Sequence, residues 1–233
     1  MPGYLSVREI EALATRVFRA YCALRPVREA SPVFRVEPEL LLRDLLGLTV
    51  EYRRISEDGS VLGVTAYDEV GVELCGGEEL FFFDGKTVLI EAELLSESRT
   101  GRRNFTVMHE GCHHILRAPG RGGDAGRPLM YRGARAAGSR EEWQADRLAA
   151  AVLMPEELVG RAMFLTGQEG RIDVLHPVWR WREYERFCSM CGILGVSKQA
   201  LSIRMQTLGL LGRSYLRDPD EILFIETETD CDG

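Results

Sequence analysis

One stretch, NFTVMHEGCHHIL at residues 104–116, constrains the fold more than any other. Read as a helix over 102–116, it places Phe105, Met108, Cys112, Ile115 and Leu116 on a single stripe to be buried against a core. At about 100° per residue, His109 and His113 share one margin of that stripe. Glu110 sits further round, and His114 points nearly away from the core. Two imidazoles one turn apart on one face can both reach a single zinc ion, and a glutamate directly after the first can serve as general base. Gly111 is the odd residue. Glycine inside a helix costs ~1 kcal/mol relative to alanine, which predicts that something approaches the backbone closely there. Cys112 lies on the apolar stripe and reads as a small core residue rather than a ligand.

A hydrolytic zinc site takes three protein ligands and leaves a fourth position for water. The third ligand is expected from SREEWQADRLAAAVLMPEEL, residues 139–158. This segment reads as a second helix, with a serine at its start and acidic residues in its first turn, both favourable there. Ala145, Leu148, Ala149, Val152 and Leu153 form its apolar face, and Pro155 ends it. Glu141 and Glu142 both fall at the edges of that face, so helical phase leaves the two open.

Three regions follow one another along the chain. Residues 5–46 hold apolar residues at helical spacing, first Ile10, Leu13, Val17 and Tyr21, then Leu41, Leu42, Leu45 and Leu46, with Pro26, Pro32 and Pro38 between the two groups. Residues 48–95 are short β-branched or aromatic runs broken by EDG and FDGK turns, which predicts an antiparallel sheet of three to five strands. From residue 101 the pattern is helical again. It is interrupted at 118–140 by a Gly/Arg-rich stretch that reads as a mobile surface loop, and it resumes at about 140–153 and 178–211. An acidic tail closes the sequence. The fold class is α+β.

Composition narrows the setting. A formal net charge of −7 argues against broad nucleic-acid binding, and no apolar run approaches the ~18 residues a membrane span needs. The N-terminus reads as an amphipathic helix without a signal peptide's charged start and apolar core, which predicts a cytoplasmic protein. The six cysteines, at 22, 75, 112, 188, 191 and 231, are too scattered for a disulfide framework and are expected to be thiols. Cys188 and Cys191 have C-x-x-C spacing but no second pair to complete a zinc site, so buried thiols are expected. In VSKQALSIRMQTLGLL, Ser197 reads as an N-cap and Ala200, Leu201, Met205 and Leu208 as a packing stripe rather than a DNA-recognition helix. Trp179, Trp181 and Tyr184 read as core anchors.

The runs RRNFTVMHEGCHH, EEWQADRLAAAVLMP and LGVSKQALSIRMQTLGLL, in that order between about residues 100 and 211, resemble the ImmA/IrrE metallopeptidases. The family pattern is R-x-x-F-T-x-x-H-E-x-x-H, then E-x-x-A-N/D-x-x-A-x-x-L-M-P, then V-S-x-x-A-L-x-x-R-x-x-x-L-G-L. Family members commonly read H-E-L-G-H where this chain has Gly111 and Cys112 between the motif's Glu110 and His113, a departure that removes no ligand. The resemblance implies zinc held by His109, His113 and Glu142, with Glu110 as the base and Asp146 supporting a histidine from outside the ligand set. It implies N-terminal helices and a small antiparallel sheet packed on a zincin-like helical core, with C-terminal helices beyond. The expected division is a metallopeptidase domain over 1–165, a helical region packed on it over 166–217, and a terminal strand with the acidic tail over 218–233. The implied activity is that of a zinc-dependent endopeptidase cleaving a helix-turn-helix transcriptional repressor, to release stress or mobile-element genes. Two rivals are an antirepressor that grips such a regulator without cutting it and a zinc hydrolase acting on a small molecule. The intact Glu110 argues against the first. No direct contact with nucleic acid and no membrane is expected.

Overall fold

The computed structural model describes residues 4–24, 33–117, 140–217 and the backbone of 129–133. The first helix, α1 (Val7–Leu24), buries Ile10, Leu13, Ala14, Val17, Phe18 and Tyr21 at the expected spacing. After it, α2 (Pro38–Leu41) starts with proline in its first turn, where no amide is missed, and passes into a wider π turn over Leu42–Leu46. Gly47 ends that turn in the left-handed conformation, at φ 66°.

Six strands follow among the described residues: β1 (Thr49–Arg53), β2 (Val61–Ala66), β3 (Glu69–Leu74), β4 (Glu79–Asp84), β5 (Thr87–Glu91) and β6 (Leu129–Gly133). Four of them make a sheet in the order β1-β5-β2-β6. The expectation of an antiparallel sheet is corrected on one pairing. β5 runs antiparallel to β2 but parallel to β1, so the sheet is mixed. The cause is an excursion: after β2 the chain leaves as the antiparallel β3–β4 hairpin and returns as β5 between β1 and β2. All five residues of β5 are buried, as expected of a strand covered on both faces. On one side Val88 and Ile90 join the main core; on the other Leu89 joins Val64, Ala66, Val72, Leu74 and Phe83 under the hairpin.

The segment read as a loop over 118–140 is corrected in part, because residues 129–133 form β6, paired antiparallel with β2 at the sheet's edge. Residues 118–128 and 134–139 lie outside the described residues. Helices make up the rest: α3 (Thr100–Arg117), α4 (Arg140–Leu153), α5 (Glu156–Thr166), α6 (Trp181–Leu194) and α7 (Lys198–Thr207). The helical stretch expected over 178–211 is two helices, broken where Gly195 takes φ 67°. A short parallel pair, β7 (Ile172–Leu175) with β8 (Leu211–Ser214), brackets them.

The main apolar core runs from Ile10 of α1 through Met108 of α3 and Leu148 of α4 to Phe187, Leu201 and Leu211. Ser197 caps α7 as expected, its hydroxyl accepting from the Ala200 amide at 3.2 Å. Cys112 is fully buried in the main core, and burial pushes its thiol up. Cys191 is buried too, whereas Cys188 is only half-buried. Trp179 and Trp181 do not anchor the core: they are 42% and 53% exposed, with Trp179 stacked on the His176 ring at 3.9 Å. Among the described residues no helix is long and apolar enough to cross a membrane. The expected terminal strand and acidic tail, 218–233, lie outside the described residues.

Candidate metal centre

α3 lies between the sheet and α4, so one of its faces meets β2 and β5 while another meets α4. The histidine pair sits on the α4 side. His109 and His113 are 1% and 4% exposed, with ring centroids 4.8 Å apart. Glu142, in the first turn of α4, is buried against them, while Glu141 beside it is only half-buried. His109 Nε2 lies 3.1 Å from Glu142 Oε2 and 3.1 Å from His113 Nε2, and His113 Nε2 lies 3.3 Å from Glu142 Oε1. Three potential ligand atoms, one from each residue, all fall within 4.8 Å of one another. Of the two carboxylates that helical phase left open, the structure brings Glu142 to the histidines.

Asp146, one turn further along α4, fixes the state of the first imidazole. Its Oδ1 lies 2.8 Å from His109 Nδ1. A carboxylate only accepts, so this bond assigns the proton to Nδ1 and leaves the Nε2 lone pair aimed into the cluster. That lone pair then faces the Glu142 carboxylate, also a donor of electrons, across a buried gap. Two such groups repel unless a positive centre lies between them, and the donor set (two imidazole nitrogens and a carboxylate) suits a divalent transition-metal ion. Burial raises the Glu142 carboxyl, but its close contacts with His109 and His113 outweigh that and take it down to about 2. Glu142 is therefore a carboxylate throughout the neutral range.

Glu110, about 100° round α3 from His109, is fully buried, and its side chain lies across β2 at Gly63. His114, expected to face nearly away from the core, is corrected. It is half-buried, with Nε2 2.6 Å from Thr65 Oγ1 on β2 and its ring edge-on to Tyr67 at 5.1 Å. Burial, then the positive charge of His113 and Arg117, pushes its imidazole down to about 4, so it is a neutral tie between helix and strand. The close approach anticipated at Gly111 is that of Leu42: a Cβ added to Gly111 would lie 2.5 Å from Leu42 Cδ1. α3 is thus held on the sheet at His114 and against the π turn at Gly111.

Sequence reasoning missed the contributions of β2. Gly63 and Thr65 carry no motif, and the only sequence signal was a glycine inside an otherwise β-branched run.

Comparison with curated proteins gave no match. Comparison with protein families matched residues 81–171 to the peptidase M78 model, described as the IrrE N-terminal-like domain. The matched stretch contains α3, α4 and α5, and with them His109, Glu110, His113, Glu142 and Asp146. Residues 81–171, from within β4 to the turn before β7, are thus similar to the IrrE N-terminal-like domain of the peptidase M78 family.

Proposed function

We propose that this chain is a zinc-dependent endopeptidase, with His109, His113 and Glu142 as the metal ligands, Glu110 as the base and Asp146 as the group that orients His109. The observation that carries this reading is the set of donor separations, 3.1, 3.1 and 3.3 Å among the two Nε2 atoms and the Glu142 carboxylate. Tetrahedral zinc with bonds of about 2.0–2.1 Å has ligand-to-ligand edges of roughly 3.3–3.4 Å, close to that triangle. When bound, zinc supplies Lewis acidity, polarising a scissile carbonyl and making water acidic enough to lose its proton near neutral pH.

The chain's own residues supply the rest. Asp146 holds His109 in the tautomer that ligates, as a carboxylate on the far nitrogen of a histidine ligand does. The Glu110 carboxylate takes the proton of the attacking water and passes it to the leaving amine. The family match supports a protein substrate, and the motif resemblance favours a helix-turn-helix repressor met in the cytoplasm. On this reading the catalytic domain spans 1–165 and the helices of 166–217 brace it.

Incubating the zinc-loaded protein with a co-encoded repressor and searching for fragments by mass spectrometry tests the reading. Cleavage by the parent and none by Glu110→Gln is the expected result. Binding of the repressor without fragments would instead make the protein a gripping antirepressor.

A further inference from the structure

β2 is an interior strand, paired through Gly63 with Ile90 of β5 on one side and Arg132 of β6 on the other. Glycine is a poor choice there, since it weakens a strand and loses more freedom on folding than any other residue. Nor does the backbone need it, because Gly63 is not among the glycines with positive φ. The reason is space. A Cβ on Gly63 would lie 2.5 Å from Glu110 Oε1 and 2.9 Å from both Cδ and Cγ of the same side chain. Three consecutive groups of Glu110 thus lie flat on the strand where a side chain would stand.

Neither partner can back away. α3 is tied to β2 two residues further on by His114 and Thr65, and pressed from behind by Leu42 against Gly111. The strand is fixed by partners on both edges. A break in the β2–β6 register between Val61 and Gly63 adds a second device. Leu62 packs into the main core while Val61 packs under the hairpin, so the bulge sets which residue of β2 meets Glu110.

We propose that Gly63 is a positioning residue: the bare backbone of β2 is the wall that holds the Glu110 carboxylate in place for proton transfer. The inference rests on the reading of Glu110 as the base. Any side chain at 63 forces Glu110 into another rotamer, and no atom of His109, His113 or Glu142 is among the three nearest to that Cβ.

The test is a double-mutant cycle on the full, zinc-loaded chain, comparing Gly63→Ala, Glu110→Ala and the two together by thermal unfolding. Gly63→Ala alone should lower Tm by about 2–4 °C or more. In the Glu110→Ala background, with the obstructing side chain gone, the same change should be neutral or should raise Tm. If Gly63→Ala alone does not fold, recovery of folded protein on adding Glu110→Ala has the same meaning. Equal effects of Gly63→Ala in both backgrounds, or a double variant that also fails to fold, would overturn the proposal.

A second readout separates positioning from mere packing. On a fluorescence-quenched peptide library, Gly63→Ala should cut kcat at least tenfold with zinc content unchanged, and Gly63→Ala with Glu110→Asp, one methylene shorter, should regain part of it. Unchanged kcat in Gly63→Ala would overturn the positioning role. A parent protein that cuts nothing defeats the peptidase reading instead, and the unfolding cycle still decides whether Gly63 fixes Glu110.

Discussion

Arg204 of α7 and Glu11 of α1, 193 positions apart, form a two-pronged ion pair, with the second guanidinium nitrogen 2.9 Å from Glu11 Oε2. The third nitrogen, Nε, donates to the Met154 carbonyl just past the end of α4 at 2.8 Å. Arg204 is 3% exposed. One side chain therefore ties the first helix, the last helix and the end of the helix that carries Glu142. Arg204 is buried but the Glu11 side chain is 35% exposed, so removing the arginine leaves the glutamate partly solvated and costs less than breaking a fully buried pair, about 1–3 kcal/mol. We expect Arg204→Ala to lower the unfolding free energy by about that much, and urea unfolding measures it. A loss near zero would mean that the clamp contributes nothing to the fold.

Zinc affinity should rank the two neighbouring glutamates. Glu142→Ala removes a ligand and should weaken binding by orders of magnitude against a competing chelator, with Glu141→Ala nearly silent. The reverse ranking would move the third ligand to Glu141.

Asp146 should matter less than a ligand and more than a surface carboxylate. Asp146→Ala frees the His109 imidazole to take the wrong tautomer or orientation, so zinc affinity should fall about 10–100-fold. The same chelator competition reads it, and parent affinity in the variant would show that His109 needs no support.

Metal removal gives a fourth expectation. The purified protein should carry about one zinc per chain by elemental analysis, and its Tm should rise with free zinc because only the folded chain assembles the site. Glu142→Ala should flatten that rise. A parent protein that takes up no zinc would end the metallopeptidase reading.

The fifth concerns acid. Burial holds His114 at about 4 in the folded chain against an ordinary value of 6.5. The unfolded chain therefore binds the extra proton more readily, and acid favours unfolding. The contribution is present above about pH 6.5 and is lost as pH falls towards 4. Urea unfolding between pH 7 and 4.5 should lose stability less steeply in His114→Gln than in the parent; identical slopes would show that His114 is not held neutral.

Why some of this was legible in sequence and some was not has a physical pattern. α3 and α4 were readable because helical periodicity is local: the stripe from Phe105 to Leu116 fixed which margin His109 and His113 share, and Pro155 marked where α4 stops. The short runs of β1 to β5 were readable as strands for the same reason. Their order was not, since the insertion of β5 between β1 and β2 depends on pairing between residues some 40 apart. β6 was hidden because Leu-Met-Tyr-Arg-Gly is too short a run, set among glycines and arginines, to show a period. His114 was misplaced because the periodicity of α3 shows one apolar stripe, whereas the helix has the sheet on a second side. Gly63 was invisible for a related reason: its meaning lies in a glutamate 47 positions away.

The notch at Gly111 has a consequence for how such a chain can change over time. Alanine there would improve the helix by ~1 kcal/mol, yet its Cβ would strike Leu42. The two positions form a lock and key that sets the rotation of α3 about its own axis, and with it the direction of both histidines. A bulkier residue at 111 becomes tolerable only once 42 has shrunk. Positions 42 and 111 are therefore expected to vary as a pair among related sequences, glycine at 111 with leucine at 42, and a larger residue at 111, such as the leucine of H-E-L-G-H, with a smaller one at 42. Chains that break the pairing should be those in which the histidines have already been lost.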